Sequence, residues 1–445
     1  MHLPTLNTPD LFIGLWKTTF ASDGEERKHW PWGVFRDAKV WSDHGQKVAD
    51  ITSYLPGSFD RPPRNPAEKA NSGYKAWEWL LYFFGAGPCL YTNVLPEKFY
   101  KHFALGVSAY KAIMQNKISV ESLTAIEEKF LLWVKMFEGI YYKGRVSRLH
   151  FCRACMHTPI HLAAQVQLKG PLSLHSQWCL ERTIGNLGEE IHLHSDPFTN
   201  LANIAVRRCQ LIAVKTILPH LDVCDEQVDG VKVPQAGRRL DDGYVLLPKR
   251  DDPMQKLEKP HEDLLYSFFS LNGITSPRIK DRANFKVRRW STLRLPNGQI
   301  ARSTMNEKPT PKRTRKSPLP PLAFIRNGIV NIGEVQYFIG AELDKDTALA
   351  LVSVYGPPNP HLMTLSHNTY WSAEYRGDTA LEFIEVRYIN SVVAMAPDPQ
   401  FRITFPNDIT GKRRFFLMEK PGLEVWNTLT FDSEEPQNQI LDIGR

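Results

Sequence analysis

The polar side chains that could carry out chemistry are concentrated in residues 148–219. Trp178 and Glu181 are three residues apart in this stretch, so in a helix they share one face and place an aromatic ring beside a carboxylate. Glu189 follows eight residues later, roughly on the same face, and is a second candidate acid. The alternative interpretation is an ordinary helix carboxylate paired with a neighbour such as Arg182.

A second group of possible ligands lies just upstream. Cys152 and Cys155 are followed by His157 and His161, and the two histidines are four residues apart, on one face of a helix. Thiolates and imidazoles at short spacing are zinc ligands. However, Pro159 breaks the helix between the histidines, and no further Cys or His pair lies at a zinc-finger distance. Buried cysteines with hydrogen-bonded core histidines are the alternative.

Helices must position both groups. Gly170-Pro171 and Asp196-Pro197 divide residues 148–219 into three helical segments, and Pro219 ends the third. Upstream, apolar residues recur at steps of three and four over residues 99–114 and again over residues 123–141. This period predicts two helices that face a core.

The period changes to two at residue 286. Asn297-Gly298 lies between two alternating segments, which predicts a tight β-hairpin. Trp371 and Tyr375 could stack on a base or a peptide, although packing in a core is the simpler interpretation. Further strands are predicted at residues 334–338, 349–355, 383–388, 391–395 and 414–419.

Charge is distributed unevenly along the 445 residues. The formal net charge is +7, yet residues 280–316 hold 12 Lys or Arg against 2 acids, a local +10. Such a segment attracts polyanions, and nucleic acid is the expected one. Residues 307–321 have no apolar period and are predicted to be disordered; their basic run suits a nuclear localisation signal or phosphate contact. The candidate nucleic-acid-binding residues are Arg288, Arg289, Lys312, Arg313, Arg315 and Lys316.

Composition excludes several protein classes. The hydrophobic fraction of 42% is ample for the cores of two or three domains. The longest apolar stretch, residues 77–91, is interrupted by Glu78 and is shorter than the roughly 20 residues that a membrane span needs, so no membrane partner is expected. Six Cys in a chain of this length are typical of reduced thiols in the cytosol or nucleus.

These motifs carry a resemblance to the CACTA-type (En/Spm-like) DDE transposases of fungi. The block GPLSLHSQWCLERTIGNLGEEI, preceded by MHTPIHL, is similar to the late catalytic region of that family. The segments MHLPTLNTPDLFIGLW and YLPGSFDRPPRNPAEKANSGYKAWEWLLYFFGAGPCLYTNVLP resemble the region before it. GEVQYF, ALALVSVYG, INSVVAM and FFLMEKPGLEV resemble the family's β-rich C-terminal region. The resemblance therefore covers nearly the whole chain.

The resemblance implies a ribonuclease-H-like core in which two Asp and one Glu hold two Mg²⁺ ions for cutting and rejoining DNA. Glu181 matches the family's Glu, Trp178 the nearby Trp, and His2 the histidine of an Asp-x-x-His element. The chain begins just before His2, so both Asp are expected to lie upstream and to be missing. The resemblance implies Mg²⁺ for the intact enzyme and no cofactor for this chain alone. It also implies DNA and other transposase subunits as partners, and the nucleus as location.

The patterns and the resemblance together predict an α+β protein. Residues 1–56 are expected to be a remnant of the catalytic core, 57–145 a helical insertion, 146–222 late catalytic-core helices and 223–285 a linker with a short helix. Residues 286–440 are expected to form a small antiparallel β barrel or sandwich with a basic disordered loop. The alternative function is a non-catalytic nucleic-acid or chromatin-binding protein of transposon origin.

Overall fold

A computed structural model describes residues 2–20, 27–69, 73–175, 177–191, 195–218, 233–234, 236–274, 282–306, 321–340 and 348–426. The chain divides into two compact units. Residues 175–234 form one, called the two-helix unit below, and residues 2–174 together with 235–445 form the other, called the main unit.

The first half of the main unit is helical. Side chains just before the helices set several of their starts, because the first backbone N–H groups of a helix lack partners within it. Asp37 accepts hydrogen bonds from two such N–H groups, and Ser119 accepts one from Ser122. The α-helices of the whole chain are α1 (Thr8–Trp16), α2 (Ala38–Asp50), α3 (Pro66–Lys69), α4 (Ala76–Trp79), α5 (Gly87–Leu90), α6 (Glu97–Ile113), α7 (Val120–Phe137), α8 (Ala154–His157), α9 (Leu162–Lys169), α10 (Leu172–His175), α11 (Trp178–Glu189), α12 (Pro197–Ile217), α13 (Lys259–Leu271), α14 (Pro360–Leu365) and α15 (Phe401–Thr404).

Shorter helical turns link these helices. Three are π-helical, at Leu3–Asn7, Leu80–Ala86 and Glu138–Tyr142. The described 3₁₀ turns are Arg27–His29, Ile51–Tyr54, Gly57–Phe59, Val146–Phe151, Thr158–His161, Asp241–Gly243, Thr304–Asn306, Gly377–Ala380, Val386–Tyr388 and Ile409–Arg413. The two helices predicted over residues 99–114 and 123–141 correspond to α6 and to α7 with the π turn that follows it.

Aromatic side chains fill the core of this helical half. Trp16, Trp32, Trp133 and Tyr141 are each at most 1% exposed. The Trp16 indole donates a hydrogen bond to the Tyr141 hydroxyl over 3.1 Å, so its polar N–H has a partner within the apolar core. The Trp-rich start of the chain is therefore part of the core.

The second half of the main unit is built from antiparallel strands. The described strands are β1 (Arg238–Arg239), β2 (Val245–Leu246), β3 (Arg289–Trp290), β4 (Thr292–Arg294), β5 (Ile300–Arg302), β6 (Leu322–Arg326), β7 (Ile329–Gly340), β8 (Ala348–Val354), β9 (Ser372–Glu374), β10 (Leu381–Glu385), β11 (Ile389–Val392), β12 (Ala394–Pro397) and β13 (Arg414–Met418). They form three sheets with strand orders β1-β2-β4-β5, β10-β8-β7-β6-β11 and β12-β13-β9, and β3 pairs with β7 in the second.

The predicted hairpin is confirmed. β4 and β5 pair, with Leu293 opposite Ala301, and Gly298 in the turn has φ +82°, which a residue with a Cβ adopts only with strain. The Asn297 side chain accepts a hydrogen bond from the backbone N–H of Gln299 and so stabilises the turn. Each of the five further predicted strands overlaps an observed one, but residues 386–388 form a 3₁₀ turn and residues 391–395 are divided between β11 and β12.

The α+β class is confirmed, with a helical N-terminal half followed by antiparallel sheets. In the described part of the chain, none of the sheets closes into a barrel. No described strand precedes Arg238, so the described residues before it contain no part of a ribonuclease-H-like sheet. β1 and β2 fall in the stretch 223–285 that the sequence indicates as a linker, and they pair into the sheet of β4 and β5. The basic loop 307–320 lies outside the described residues.

One core joins the helical half to the sheets. The aromatic cluster of the helices also contains Tyr370, Phe401, Phe416 and Met418 from the C-terminal part of the main unit. The backbone N–H of Asn116 donates to the Gly422 carbonyl over 3.2 Å. The helical half and the sheets therefore pack as parts of one unit.

The two-helix unit is different, because it has almost no interior. α11 and α12 are linked by an ion pair between Arg208 and Glu190, and Asp196 caps the start of α12 by accepting from the Thr199 N–H. No residue of α12 is buried. Phe198 is 84% exposed and Ile217 is 74% exposed.

Candidate functional site

The candidate acid Glu181 lies in the first turn of α11. Its side chain is exposed, and within the described residues it takes part in no ion pair, with Arg182 or any other residue. A carboxylate in the first turn of a helix is favoured by the positive end of the helix dipole. Glu189, the reserve candidate, ends the same helix and is also exposed. The Glu181 carboxylate is therefore open to an external ligand.

The other two residues of the predicted catalytic group are Trp178 and His2. Trp178 is the first residue of α11, three positions before Glu181. His2 is exposed and precedes the π turn Leu3–Asn7. His2 belongs to the main unit and Glu181 to the two-helix unit. Their predicted approach to each other stays a prediction.

A metal centre for phosphoryl transfer needs several oxygen ligands around its ions. Among the described residues, no three His, Cys, Asp or Glu side chains converge on one point. Glu181 fits Mg²⁺ as a single ligand, because its carboxylate is exposed and without an ion-pair partner. The other ligands are not supplied by the part of the chain that the structure describes.

The four possible zinc ligands do not come together. Cys155 is buried and Cys152 is exposed. Burial raises the pKa of the Cys155 thiol to about 11 and, with Glu138 nearby, also raises the pKa of Cys152, which disfavours the thiolates that zinc binds. His157 and His161 are exposed and remain close, with their Nε2 atoms 3.1 Å apart. The pair of histidines thus separates from the pair of cysteines.

Two of the predicted nucleic-acid-binding residues have acidic partners. The Arg289 guanidinium contacts the Asp251 carboxylate at 2.6 Å and the Tyr337 ring at 5.5 Å. Arg288 lies 3.5 Å from Asp252. These acids offset much of the positive charge that the sequence offers at this point. Lys312, Arg313, Arg315 and Lys316 lie outside the described residues, so binding by the basic loop stays a prediction.

A buried polar cluster around Asp398 in the main unit was not predicted. Asp398 accepts hydrogen bonds from the hydroxyls of Tyr370 at 2.6 Å and Ser372 at 2.5 Å, and the Cys89 Sγ lies 3.6 Å away. Burial and the Asp398 charge raise the pKa of both Cys89 and Tyr370. A thiol kept protonated in this way is a poor nucleophile. The cluster therefore ties the helical half to the sheets and offers no reactive group.

Three arginines were also overlooked. Arg239 is far in sequence from Arg294 and Arg302, and strand pairing brings all three onto one sheet. The sequence does indicate that Arg294 and Arg302 lie on the two strands of the predicted hairpin, one on each side of its turn. Arg239 carries no such signal, because its strand is two residues long.

None of the helices that the structure describes is long and apolar enough to cross a membrane. No protein-family model, curated protein or solved structure matches the chain.

Proposed function

We propose that the chain is the C-terminal part of a DDE transposase-like protein of transposon origin, which acts on DNA in the nucleus. In this proposal α9 to α12 are late helices of a ribonuclease-H-like core, and Glu181 is its third acid. The chain is catalytically incomplete, because cleavage with two Mg²⁺ ions needs two further Asp. The observation that carries the proposal is the exposed Glu181 carboxylate, which has no ion-pair partner in the described residues.

The chemistry explains why this one observation matters. A carboxylate without a cationic partner in the protein keeps its charge and both of its oxygens available to a metal ion. Glu190 in the same unit has such a partner in Arg208, whereas Glu181 does not. An acid held on a helix and left open is suited to complete a metal site whose other ligands come from elsewhere. Bound Mg²⁺ would stabilise the charge on the attacking and leaving oxygens of the phosphodiester.

The test begins with the genomic sequence upstream of Met1. We expect an in-frame extension that carries two Asp, and a protein with that extension should nick supercoiled DNA in Mg²⁺ or Mn²⁺ while the present chain does not. Glu181→Ala should abolish nicking, and Glu189→Ala on the same helix is the matched control. Nicking by the present chain alone, or full activity of the extended Glu181→Ala variant, would overturn the assignment.

The second candidate is a non-catalytic nucleic-acid-binding protein of transposon origin. It is favoured by the charge of residues 280–316, which contain 12 basic residues and 2 acids. Phosphate contacts release counterions, so affinity for duplex DNA should fall as salt rises, with a slope of about 0.9 per contact in log K against log salt. Fluorescence anisotropy with a random-sequence duplex measures this slope. Absence of binding at low salt would rule this candidate out.

A further inference from the structure

The sheet β1-β2-β4-β5 carries arginines on one face. Residues directly opposite each other in paired strands point to the same side of a sheet. Arg239 is opposite Val245, Val245 is opposite Arg294, and Arg294 is opposite Ile300. Arg302 is opposite Thr292, which is two positions from Arg294 and so lies on the same side. Three strands therefore contribute one arginine each to this side, called the arginine face below.

The other side of the sheet is buried. Leu246, Leu293 and Ala301 belong to the apolar core under the second sheet, and each is fully buried. Arg239 and Arg302 are exposed, and Arg294 is half-buried. The arginine face is thus the solvent side of a sheet that the core holds in place.

Val245 shows how the arginines lie. It is the central residue of the arginine face and is only 1% exposed, yet it belongs to none of the apolar clusters. Long arginine side chains cover apolar surface with their methylene stems and keep the guanidinium in water. Stems of the neighbouring Arg239 and Arg294 that reach over Val245 would account for its burial and would hold both side chains near the sheet.

The three guanidinium groups have no acidic partner in the described part of the chain, since no ion pair joins any of them to a carboxylate. The acidic residues nearest to Arg239 in sequence are Asp241 and Asp242, in the turn between β1 and β2. Other arginines of the same half are paired, such as Arg326 with Glu382 at 2.9 Å. The arginine face therefore keeps its positive charge available to an external anion.

We propose that the arginine face binds the sugar-phosphate backbone of duplex DNA. The proposal rests on the proposed function, in that DNA is the ligand, and it assigns the contact to three residues. Neighbouring strands are about 4.8 Å apart and alternate residues about 6.8 Å apart, so the arginine Cα atoms are spaced by roughly 8 to 10 Å. Each DNA strand presents a charge every 3.4 Å or so along the axis, so three long side chains at this spacing reach several phosphates.

The composition of the face favours a duplex over other anions. Its remaining residues are Thr292, Val245 and Ile300, and none of these is aromatic. Single-stranded nucleic acid is usually held by aromatic side chains on which bases stack. Arginine forms bidentate hydrogen bonds with phosphate oxygens, which suits a repeated backbone contact.

The test compares two charge-matched triple variants of the full chain. Arg239→Ala/Arg294→Ala/Arg302→Ala should lower the salt slope of binding to a 25-base-pair random duplex by about 2.7, which corresponds to three lost phosphate contacts. The control is Arg282→Ala/Arg326→Ala/Arg387→Ala, whose arginines all have acidic partners in the protein. The control should change the slope by less than about 1. Thermal unfolding of both variants checks that they are folded.

The outcomes separate this inference from the proposed function. If the wild-type chain binds DNA and the arginine-face variant keeps the wild-type slope, the arginine face is not the site, although DNA binding stands. If both triple variants lower the slope equally, net charge alone is responsible and the inference is wrong. The assignment to duplex DNA would be overturned if the wild-type chain bound a single strand of the same length more tightly than the duplex. It would also be overturned if the arginine-face variant lost as much affinity for vesicles of phosphatidylcholine and phosphatidylserine (3:1) as for the duplex. If the wild type binds no DNA, the proposed DNA ligand fails first.

Discussion

Helices α6 and α12 are both long and rich in apolar residues, but α6 is buried and α12 is exposed to solvent. Of the 17 residues of α6, 14 are buried, including Phe103 and His102, whereas none of the 21 residues of α12 is buried. The apolar pattern of a sequence predicts a helix and the side that seeks a partner. It does not predict whether the partner is present. The contrast shows where the stability of this chain resides.

Burial of one large apolar side chain contributes about 1.5 to 3 kcal/mol. α6 makes many such contributions, because Phe103 packs against an aromatic ring of α1, Tyr110 against one of α7, and Phe99 against Trp32. α12 makes none through burial and depends on its Asp196 cap and the hydrogen bonds of its own backbone. The main unit should therefore unfold cooperatively, while α12 should open at much lower cost.

The largest expected effect comes from truncating one phenylalanine in each helix. Phe103→Ala in α6 should lower the free energy of unfolding by about 3 to 5 kcal/mol, because Phe103 is 2% exposed and contacts Trp16 and Phe83. Phe198→Ala in α12 should change it by less than about 0.5 kcal/mol, since Phe198 is 84% exposed. Urea unfolding followed by tryptophan fluorescence measures both. A comparable loss in Phe198→Ala would mean that α12 has a partner in solution.

A smaller effect, opposite in sign between the two units, is expected at two helical glycines. In α6 a Cβ on Gly106 would lie 2.5 Å from the Trp133 indole nitrogen, so Gly106→Ala should destabilise the protein by about 1 to 3 kcal/mol. In α11 a Cβ on Gly185 meets nothing within 4 Å, so Gly185→Ala should stabilise that helix by about 0.5 to 1 kcal/mol. Thermal unfolding tests the first variant and helicity by circular dichroism the second. Stabilisation by Gly106→Ala would show that the α6–α7 contact is loose.

The elements of this fold are predictable where local chemistry decides them. The steps of three and four in α6, the Asp196-Pro197 start of α12 and the Asn297-Gly298 turn all identify elements from sequence alone, whereas the first two helices predicted over residues 148–195 are divided into shorter helices and turns. Long-range pairing is not predictable in this way. Asp398 meets Cys89 across 309 positions, and no pattern near either residue indicates the contact.

The same distinction applies to the candidate sites. Glu181 is singled out by its spacing to Trp178 and by resemblance; its side chain is exposed, and its role stays a prediction. Arg288 and Arg289 are found by charge alone, but the sequence does not show that Asp251 and Asp252 lie beside them. The arginine face depends on the register of β1, β2 and β4, which short strands leave unspecified in sequence.

Buried ionisable groups lie beside the C-terminal end of α6, and this is a further difference from α12. Glu424 accepts hydrogen bonds from the Gln115 side chain and, over 2.7 Å, from the Gly422 N–H. Glu419 accepts from the Val425 and Trp426 N–H groups and lies 3.8 Å from the Lys111 ammonium. Two carboxylates thus share one nearby lysine where the segment 419–426 meets α6.

This arrangement also predicts that the stability of the protein depends on pH. Burial raises the pKa of Glu424 to about 7, and Glu419 adds to the rise although Lys111 opposes it. An acid with a raised pKa in the folded state binds its proton more tightly than in the unfolded chain, so it destabilises the folded state once it must ionise. Stability should therefore fall between about pH 4.5 and pH 7 and then level off.

Glu424→Gln keeps the hydrogen-bonding shape without the charge and should flatten this fall in urea unfolding measured from pH 5 to pH 8. Glu127→Gln, at an exposed position of α7, controls for the loss of one carboxylate. If Glu424→Gln retains the full wild-type fall, the dependence arises elsewhere, and Glu419, whose pKa burial also raises, is the next group to substitute.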